Sequence, residues 1–446
     1  MKVLVTGATG LIGRHLVYSL LQDGHTVIAL ARSPEKLPEL PSQNVFSWSD
    51  DQPVPLDAIK NCEAIIHLAG EGIADALWTA KRKKRLWDSR VNGTKNLVNS
   101  IGLIDQGLRP KILISGSAIG YYGQSENQQD EQSPQGVGFL SQLCAEWESA
   151  ALVSEKYGLR TVLLRTGLVL AKEGGVLSKA APVVLGKGTQ VMSWIHIEDI
   201  ISFIKLALQN SRLKGPFNLT APNPANNKEY TRLTSRYQGF PFTMKAPQFA
   251  LKLALGEMSE IVLSNQNVLP KRAVAAGFKF KYVQLDDALK NLLGSASLTQ
   301  HLFTTKQFVP SGRKDVFSFF SKAENLEVLT PTWLNFHIQK KSTPEIEKGT
   351  LIDYQLKIHG VPVKWRTEIR EWNPDSSFVD FQLKGPYNKW HHLHTFEDVP
   401  GGTLICDEVI FKIPGWIFGN LLLPLIRKDV GEIFKYRQKK IKEFFS

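Results

Sequence analysis

The opening residues, MKVLVTGATGLIGRHL, constrain the fold more tightly than any other stretch. A short apolar strand runs into Gly7, Gly10 and Gly13 and then into a helix beginning near Leu11. Each glycine has a physical task. Gly7 permits the tight turn, Gly10 lets backbone approach a pyrophosphate with no Cβ in the way, and Gly13 allows helix and strand to pack closely. A pyrophosphate would rest on the free N–H groups and positive dipole end of the helix, against Thr9, Gly10, Leu11 and Ile12. A glycine triplet alone is weak evidence, but the strand before it and the helix after it are both readable, which makes this a dinucleotide cradle.

At 446 residues the chain is too long for one ordinary core, so two or three domains are expected. Apolar runs at residues 3–6, 26–31, 64–68, 111–115 and 160–165 alternate with helical patterns at 12–23, 78–101 and 141–157. That rhythm predicts an α/β fold, a doubly wound parallel sheet of Rossmann type, over residues 1–222. The turn-rich NLTAPNPANN leads out of it, and residues 223–294, with helices at 248–263 and 285–293, read as a small C-terminal cap. After the small-residue linker Gly294-Ser295-Ala296-Ser297 the pattern changes. Residues 298–446 begin with a strand from His301 and a helix at 313–320. Long alternating strands follow at 351–358, 363–371, 377–384, 390–396 and 403–412, then a helix over 416–445. This predicts an α+β helix-grip domain, a curved antiparallel sheet closed over one long helix.

Net charge is +12, in two notable runs: Lys81-Arg82-Lys83-Lys84-Arg85, and Arg427, Lys428, Lys435, Lys439 and Lys442 on the last helix. Without a groove-reading element or stacking platform they read as solvated helix faces, and no nucleic-acid partner is expected. The three cysteines, Cys62, Cys144 and Cys406, lie far apart without metal-ligand spacing, which fits a reducing, cytoplasmic setting. No signal segment is read before the first strand. The apolar stretch 415–426 is shorter than the roughly 20 residues a membrane span needs, and reads as a lid rather than a membrane-surface contact.

The second strand ends at Ala31-Arg32-Ser33, where an NAD-selective site would place a carboxylate for the ribose 2′-hydroxyl. Arg32 suits a 2′-phosphate instead, which favours NADP over NAD; the plainer reading is a surface arginine at a strand end. Further blocks follow in order: HLAGEGIADALWTAKRKKRLWDSRVNGTKNL (67–97), SGSAIGYYG (115–123), FLSQLCAEWE (139–148), LLRTGLVLA (163–171), SWIHIEDI (193–200), LGEMSE (255–260) and VLPKRAVAAGFKF (268–280). In these the chain resembles the extended short-chain dehydrogenase/reductase superfamily, in its NAD-dependent epimerase/dehydratase-like subgroup, over nearly all of residues 1–294. The resemblance implies that Leu68, Ala69 and Gly70 close on the cofactor and that Ser117 orients a substrate oxygen. It also implies a Tyr-x-x-x-Lys pair for proton transfer, and here the sequence departs: the aligned positions are Phe139 and Leu143. Losing such a group typically removes a factor of about 10²–10⁴ in rate without removing the nucleotide site. Three readings stay open: a substitute acid or base from Tyr121, Tyr122, Glu71 or His196, a hydride transfer with water supplying the proton, or binding without turnover. The plainer reading is packing for the tyrosines and a helix N-terminal hydrogen bond for His196.

TPTWLNFHI (330–338), GVPVKWRTEI (360–369), FVDFQLKGPYNKWHHLHTFE (378–397) and GGTLICDEVIFKIPG (401–415) resemble the START-like polyketide cyclase/dehydrase (SRPBCC) family. That likeness implies a cavity for a hydrophobic ligand. Trp333, Phe336, Trp365, Phe381, Trp390, Phe396 and Phe411 on strands would face Ile426, Val430, Ile433, Phe434 and Ile441 on the helix, with ordinary core as the plain alternative. Strand alternation puts His392 and His394 on one face with Trp390 and Phe396, and His391 on the other. At most two histidines converge, so no metal is expected. The function expected is an atypical NADP-dependent oxidoreductase or epimerase with a hydrophobic substrate. Its rival is a non-catalytic NADP-binding regulatory protein, division-related in kind, whose second domain carries a lipid-like ligand.

Overall fold

Fully buried apolar strands form the centre of the N-terminal part: Val3, Leu4 and Val5, Ile65 and Ile66, Leu113 and Ile114, and Val162, Leu163 and Leu164. Strands covered on both faces in this way belong to parallel sheets. The computed structural model describes all residues except 180, 295–299, 416–419 and 446. The chain forms two units, Met1–Lys36 with Gln43–Ser295, and Leu37–Ser42 with Ala296–Ser446. Apart from Gly294, the predicted linker lies outside the described residues, as does the start of the predicted last helix.

In the first unit seven parallel strands are formed by β1 (Lys2–Thr6), β2 (Thr26–Ala31), β3 (Val45–Ser47), β4 (Ala64–His67), β5 (Ile112–Ala118), β6 (Arg160–Thr166) and β7 (Gly215–Leu219). Their order is β7-β6-β5-β4-β1-β2-β3, a Rossmann-like sheet. The order reverses between β1 and β4, and a crevice opens at such a reversal beyond the strand C-termini. Helix α1 (Leu11–Gln22) leaves that point and buries Gly13, Leu16, Val17, Leu20 and Leu21. Gly7 has φ +69, and a Cβ there would lie 2.6 Å from the Leu68 carbonyl carbon. A Cβ on Gly13 would lie 2.1 Å from the Gly7 carbonyl oxygen.

The helix predicted over 78–101 is instead α2 (Ala80–Trp87), a π-turn over Asp88–Asn92 and α3 (Gly93–Gly102). Side-chain hydroxyls compete for the backbone there: Ser89 donates to the Leu86 carbonyl at 3.1 Å and Thr94 to the Arg90 carbonyl at 2.5 Å. The predicted helix 141–157 is α4 (Phe139–Leu152), finishing in a tighter turn over Val153–Tyr157. Next come α5 (Ile197–Gln209), α6 (Asn227–Gln238) and α7 (Leu285–Leu293), the last two packing with Trp194, Tyr230 and Tyr282. The helix predicted over 248–263 breaks at Gly256, whose φ is +55, between Gln248–Leu255 and Glu260–Leu263.

The second unit is a seven-stranded antiparallel sheet: β8 (Gln300–Val309), β9 (His337–Lys341), β10 (Leu351–Ile358), β11 (Val361–Asn373), β12 (Ser377–Lys384), β13 (Lys389–Val399) and β14 (Gly402–Lys412). The order is β8-β14-β13-β12-β11-β10-β9, and register shifts on β11 bend it. Helix α8 (Arg313–Phe320) and the C-terminal helix α9 (Leu423–Phe445) pack on it. Val430, Phe434 and Ile441 of α9 bury against Val409, Phe411, Phe396 and Ile405 at helical spacing. Seven assignments are corrected. Phe336 lies in the loop before β9, and Ile426 packs against the closed core around Phe411 and Phe434. Trp333 sits on a turn, Thr332–Leu334, and Phe381 packs on the far face under the Arg370 guanidinium, 3.2 Å from its ring centre. Phe396, Phe411 and Ile441 fill closed core, because the bent sheet brings α9 directly onto them. Among the described residues no helix is long and apolar enough to cross a membrane.

Gly13→Ala is expected to cost the first unit about 1–3 kcal/mol, the usual penalty for forcing atoms into a filled site. Gly107→Ala, where a Cβ meets nothing within 4 Å, should stay within about 0.5 kcal/mol of wild type. Urea denaturation of both variants measures the difference.

Candidate functional site

No side chain caps α1, and its bonding starts with the Arg14 N–H donating to the Gly10 carbonyl at 3.0 Å. The N–H groups of Leu11, Ile12 and Gly13 therefore point out of the helix end, where its dipole favours an anion. A Cβ on Gly10 would meet only the Gly7 carbonyl, at 3.2 Å, so that glycine leaves a hollow that a side chain would fill. Such a hollow fits a pyrophosphate. The Leu11 side chain turns toward Gly174 and Gly175, and the Thr9 carbonyl accepts from Arg14 Nε at 3.0 Å.

Across the crevice, residues 68–70 are tied to β1 by one chain of hydrogen bonds. The Ala69 N–H donates to Thr6 Oγ1 (3.2 Å), and the Thr6 hydroxyl meets His67 Nδ1 (2.7 Å). His67 Nε2 meets Thr94 Oγ1 (2.9 Å), whose hydroxyl donates to the Arg90 carbonyl. With the Thr94 hydroxyl spent on Arg90, Nε2 must donate, and a neutral imidazole then accepts the Thr6 proton on Nδ1. Burial pushes the His67 pKa down to about 4, in the same direction. Gly70 lies against Arg90, which the π-turn aims at the Glu71 carbonyl, 2.8 Å away.

Arg32, exposed at the end of β2, donates to Glu71 Oε1 at 2.8 Å, and the Ser33 carbonyl accepts from the Lys36 N–H. Arg82 reaches Glu71 Oε2 at 3.2 Å, and Arg85 reaches both Glu71 at 3.3 Å and Asp50 Oδ1 at 2.7 Å. The basic run 81–85 is thus not wholly a solvated face, because two buried or half-buried carboxylates draw Arg82 and Arg85 inward. Burial works to raise the Glu71 carboxyl, but the Arg82 hydrogen bond and the charges of Arg32 and Arg85 hold it below its usual range. Glu71 is a countercharge for guanidiniums, not a proton donor. Three guanidiniums against two carboxylates leave positive charge beside Arg32.

At the C-terminal end of β5 the Ser117 hydroxyl donates to Glu148 Oε1 at 2.6 Å. Arg165 grips the same carboxylate through two bonds of 2.8 Å, and its Nη1 donates to the Tyr122 hydroxyl at 2.9 Å. Tyr122 in turn donates to Asn218 Oδ1 at 2.7 Å, and burial pushes its phenol up to about 12. Ser117 and Tyr122 are therefore committed within a buried network. Tyr121 is different: half-buried, it stacks on the Arg165 guanidinium, 3.5 Å from its ring centre. Phe139 opens α4 edge-on to Trp78 with the Lys83 ammonium 5.1 Å from its ring centre, and Leu143 is fully buried beside Trp147. His196 caps α5 by accepting from the Glu198 N–H at 3.1 Å, and stacks on Tyr282. Burial holds its pKa near 4, so it is a structural cap.

Sequence reasoning passed over Glu148, Arg165, Asn218, Thr94 and the strut role of His67. A usable signal existed for one of them: a charged residue inside the apolar run LLRTG has to be paired if buried.

Two outcomes follow. Arg165→Met strands the buried Glu148 carboxylate and is expected to cost about 3–5 kcal/mol, part of which Glu148→Leu in the same chain should restore, as read by urea denaturation. Both His67 and His196 have folded values near 4 against 6.5. Between those values the unfolded chain binds protons that the folded chain does not, so stability present at neutral pH is lost as pH falls. The loss should approach about 3 kcal/mol per histidine at the acid end of that window, and His67→Gln should flatten the urea-midpoint profile.

The model of the NAD dependent epimerase/dehydratase family matches residues 3–220, and that of a domain of unknown function, DUF1731, matches residues 246–292. The chloroplastic homologue of epimerase family protein SDR39U1 from Arabidopsis thaliana is 39% identical over 308 residues, 66% of this chain and 87% of that protein. Epimerase family protein YfhF of Bacillus subtilis is 34% identical over 301 residues, 66% of this chain and 98% of that protein. Human epimerase family protein SDR39U1 (isoform 2), solved with NADPH, superposes with a TM-score of 0.59 at 28% identity, covering 66% of this chain and all of that one. A nucleoside-diphosphate sugar epimerase from Corynebacterium glutamicum gives 0.54 at 27% identity, covering 66% of this chain and 58% of that one. With two relatives above 30% identity matched over most of their length, this chain belongs to the NAD dependent epimerase/dehydratase family.

Proposed function

We propose that the first unit binds NADP(H) and works as an atypical oxidoreductase or epimerase on a hydrophobic substrate. The observation that carries the cofactor is the surplus guanidinium charge beside Arg32, on the strand next to the bare N-terminus of α1. The human relative solved with NADPH supports it. When bound, the nicotinamide supplies or accepts a hydride. The protein's own groups divide the remaining work. The α1 amides hold the pyrophosphate, Arg32 holds the 2′-phosphate, and Tyr121 exchanges the proton at the substrate oxygen. Phe139 and Leu143, which take the places of the usual tyrosine and lysine, join Leu140 and Trp78 in an apolar wall.

A second reading, nucleotide binding without turnover, draws on the Ser117 hydroxyl, which is held by Glu148 rather than offered to a substrate. For the second unit, a cavity of about 560 Å³ with an aromatic lining supports a helix-grip, START-like reading and an apolar small-molecule ligand.

Calorimetric titration should show NADPH binding more tightly than NADH, with Arg32→Ala weakening NADPH by about 10–100-fold and leaving NADH little changed. Against a panel of hydrophobic carbonyl compounds, oxidation of NADPH should fall by about 10²–10⁴-fold in Tyr121→Phe. Tight NADPH binding with no turnover across the panel favours the second reading. Equal affinity for the two nucleotides contradicts the cofactor assignment.

A further inference from the structure

The cavity of the second unit is walled by aromatic side chains such as Trp333, Tyr354, Trp365 and Trp390, yet Asp380, His392 and His394 also face it. Their convergence follows from strand register. His392 and His394 are alternate residues of β13 and share a face. Asp380 on β12 pairs directly with His392, and Asp407 on β14 pairs directly with His394. Three neighbouring strands thus bring two imidazoles and two carboxylates into one patch, with both rings, Asp407 and the Arg437 side chain buried.

The atoms are arranged in two shells. Asp380 Oδ2 lies 3.3 Å from His392 Nδ1 and 3.2 Å from His394 Nε2, and the three donor atoms lie within 4.8 Å of one another. Two ligands in adjacent positions, each about 2.0–2.1 Å from one ion, are separated by roughly 3.0–3.5 Å. The opposite nitrogens, His392 Nε2 and His394 Nδ1, lie 3.0 and 2.8 Å from Asp407 Oδ1. A carboxylate receiving the outer N–H of each ring is the arrangement that orients metal-bound imidazoles.

Charge makes the same point. A neutral imidazole has one N–H, and if that proton goes to Asp407, each ring's lone pair faces the Asp380 carboxylate. Protonating both rings would instead stack two cations with centroids 3.7 Å apart in a buried site. A single cation between Asp380 and the rings gives both lone pairs and that carboxylate a common partner. Arg437, with Nη2 at 3.3 Å from His394 Nδ1 and 3.7 Å from Asp407 Oδ1, offsets the charge of Asp407.

We propose that Asp380, His392 and His394 bind a divalent first-row transition ion, with Asp407 as the residue positioning both imidazoles. Two imidazoles and one carboxylate suit zinc or ferrous iron rather than calcium or magnesium. The ion's remaining positions face the cavity, where they would take an oxygen or nitrogen donor at the end of an otherwise apolar ligand. This site is independent of the nucleotide reading.

The test uses the full chain, stripped with a chelator and titrated with Co²⁺ and with Zn²⁺. Calorimetry should find one tight site per chain for each ion, Co²⁺ should give visible absorption from a nitrogen- and oxygen-ligated ion, and Zn²⁺ should displace it. Asp380→Asn and His394→Gln should abolish the tight site, and Asp407→Asn should weaken it by about 10–100-fold. Circular dichroism checks that each variant is folded. If one is not, paramagnetically shifted proton resonances from two imidazole rings in wild-type Co²⁺ protein decide the matter. Absence of a saturable site for both ions, or tight binding that persists in folded Asp380→Asn and His394→Gln, overturns the proposal.

Discussion

In the first unit α1 can lie on its strand only as closely as the Gly7 carbonyl oxygen allows, and everything downstream depends on that closeness. With no Cβ on Gly13 the helix comes down onto the loop, and its first amides emerge beyond the end of β1. With no Cβ on Gly7 the segment after β4 passes close by, bringing Ala69 within reach of Thr6. The neutral His67 then locks β1, β4 and the π-turn into one piece. A nucleotide cradle arises here from backbone proximity, and side chains enter only at its edge, where Arg32, Arg82 and Arg85 surround Glu71.

A second constraint lies at the C-terminal ends of β5 and β6. A buried carboxylate and guanidinium must satisfy each other fully, and Glu148 and Arg165 do so by drawing Ser117 and Tyr122 into their network. Residues that a reader of motifs would give to catalysis are thereby held in the interior. Phe139 and Leu143, joined with Trp78 and Trp147, close the neighbouring space with apolar surface. Tyr121 alone of the three predicted residues keeps its hydroxyl outside that network, which is why the proton chemistry is assigned to it.

Parallel strands were legible because strands buried on both faces are written as unbroken apolar runs, as in Val3–Val5 and Ile65–Ile66. The glycine spacing was legible because each glycine answers a steric demand that another residue fails. Less legible was whatever depends on which residue a neighbouring strand or helix presents. The turn at Asp88–Asn92 comes from hydroxyls competing for carbonyls inside an apparently continuous helical pattern. The inward course of Arg82 and Arg85 depends on Asp50 and Glu71, which are distant in sequence. The pairing of His392 and His394 on one face followed from alternation, but the carboxylates did not. Asp380 and Asp407 lie on separate strands, and only the register of β12, β13 and β14 sets them opposite the imidazoles.

The central claim, that a dinucleotide lies across the end of β1 with its phosphates on α1 and beside Arg32, is tested most directly by amide hydrogen exchange with and without saturating NADPH. The account predicts slowed exchange at residues 7–14, 32–33 and 68–71, with the second unit's strands unchanged. Exchange unaltered at residues 7–14 under saturating NADPH, or protection confined to other segments, would contradict it.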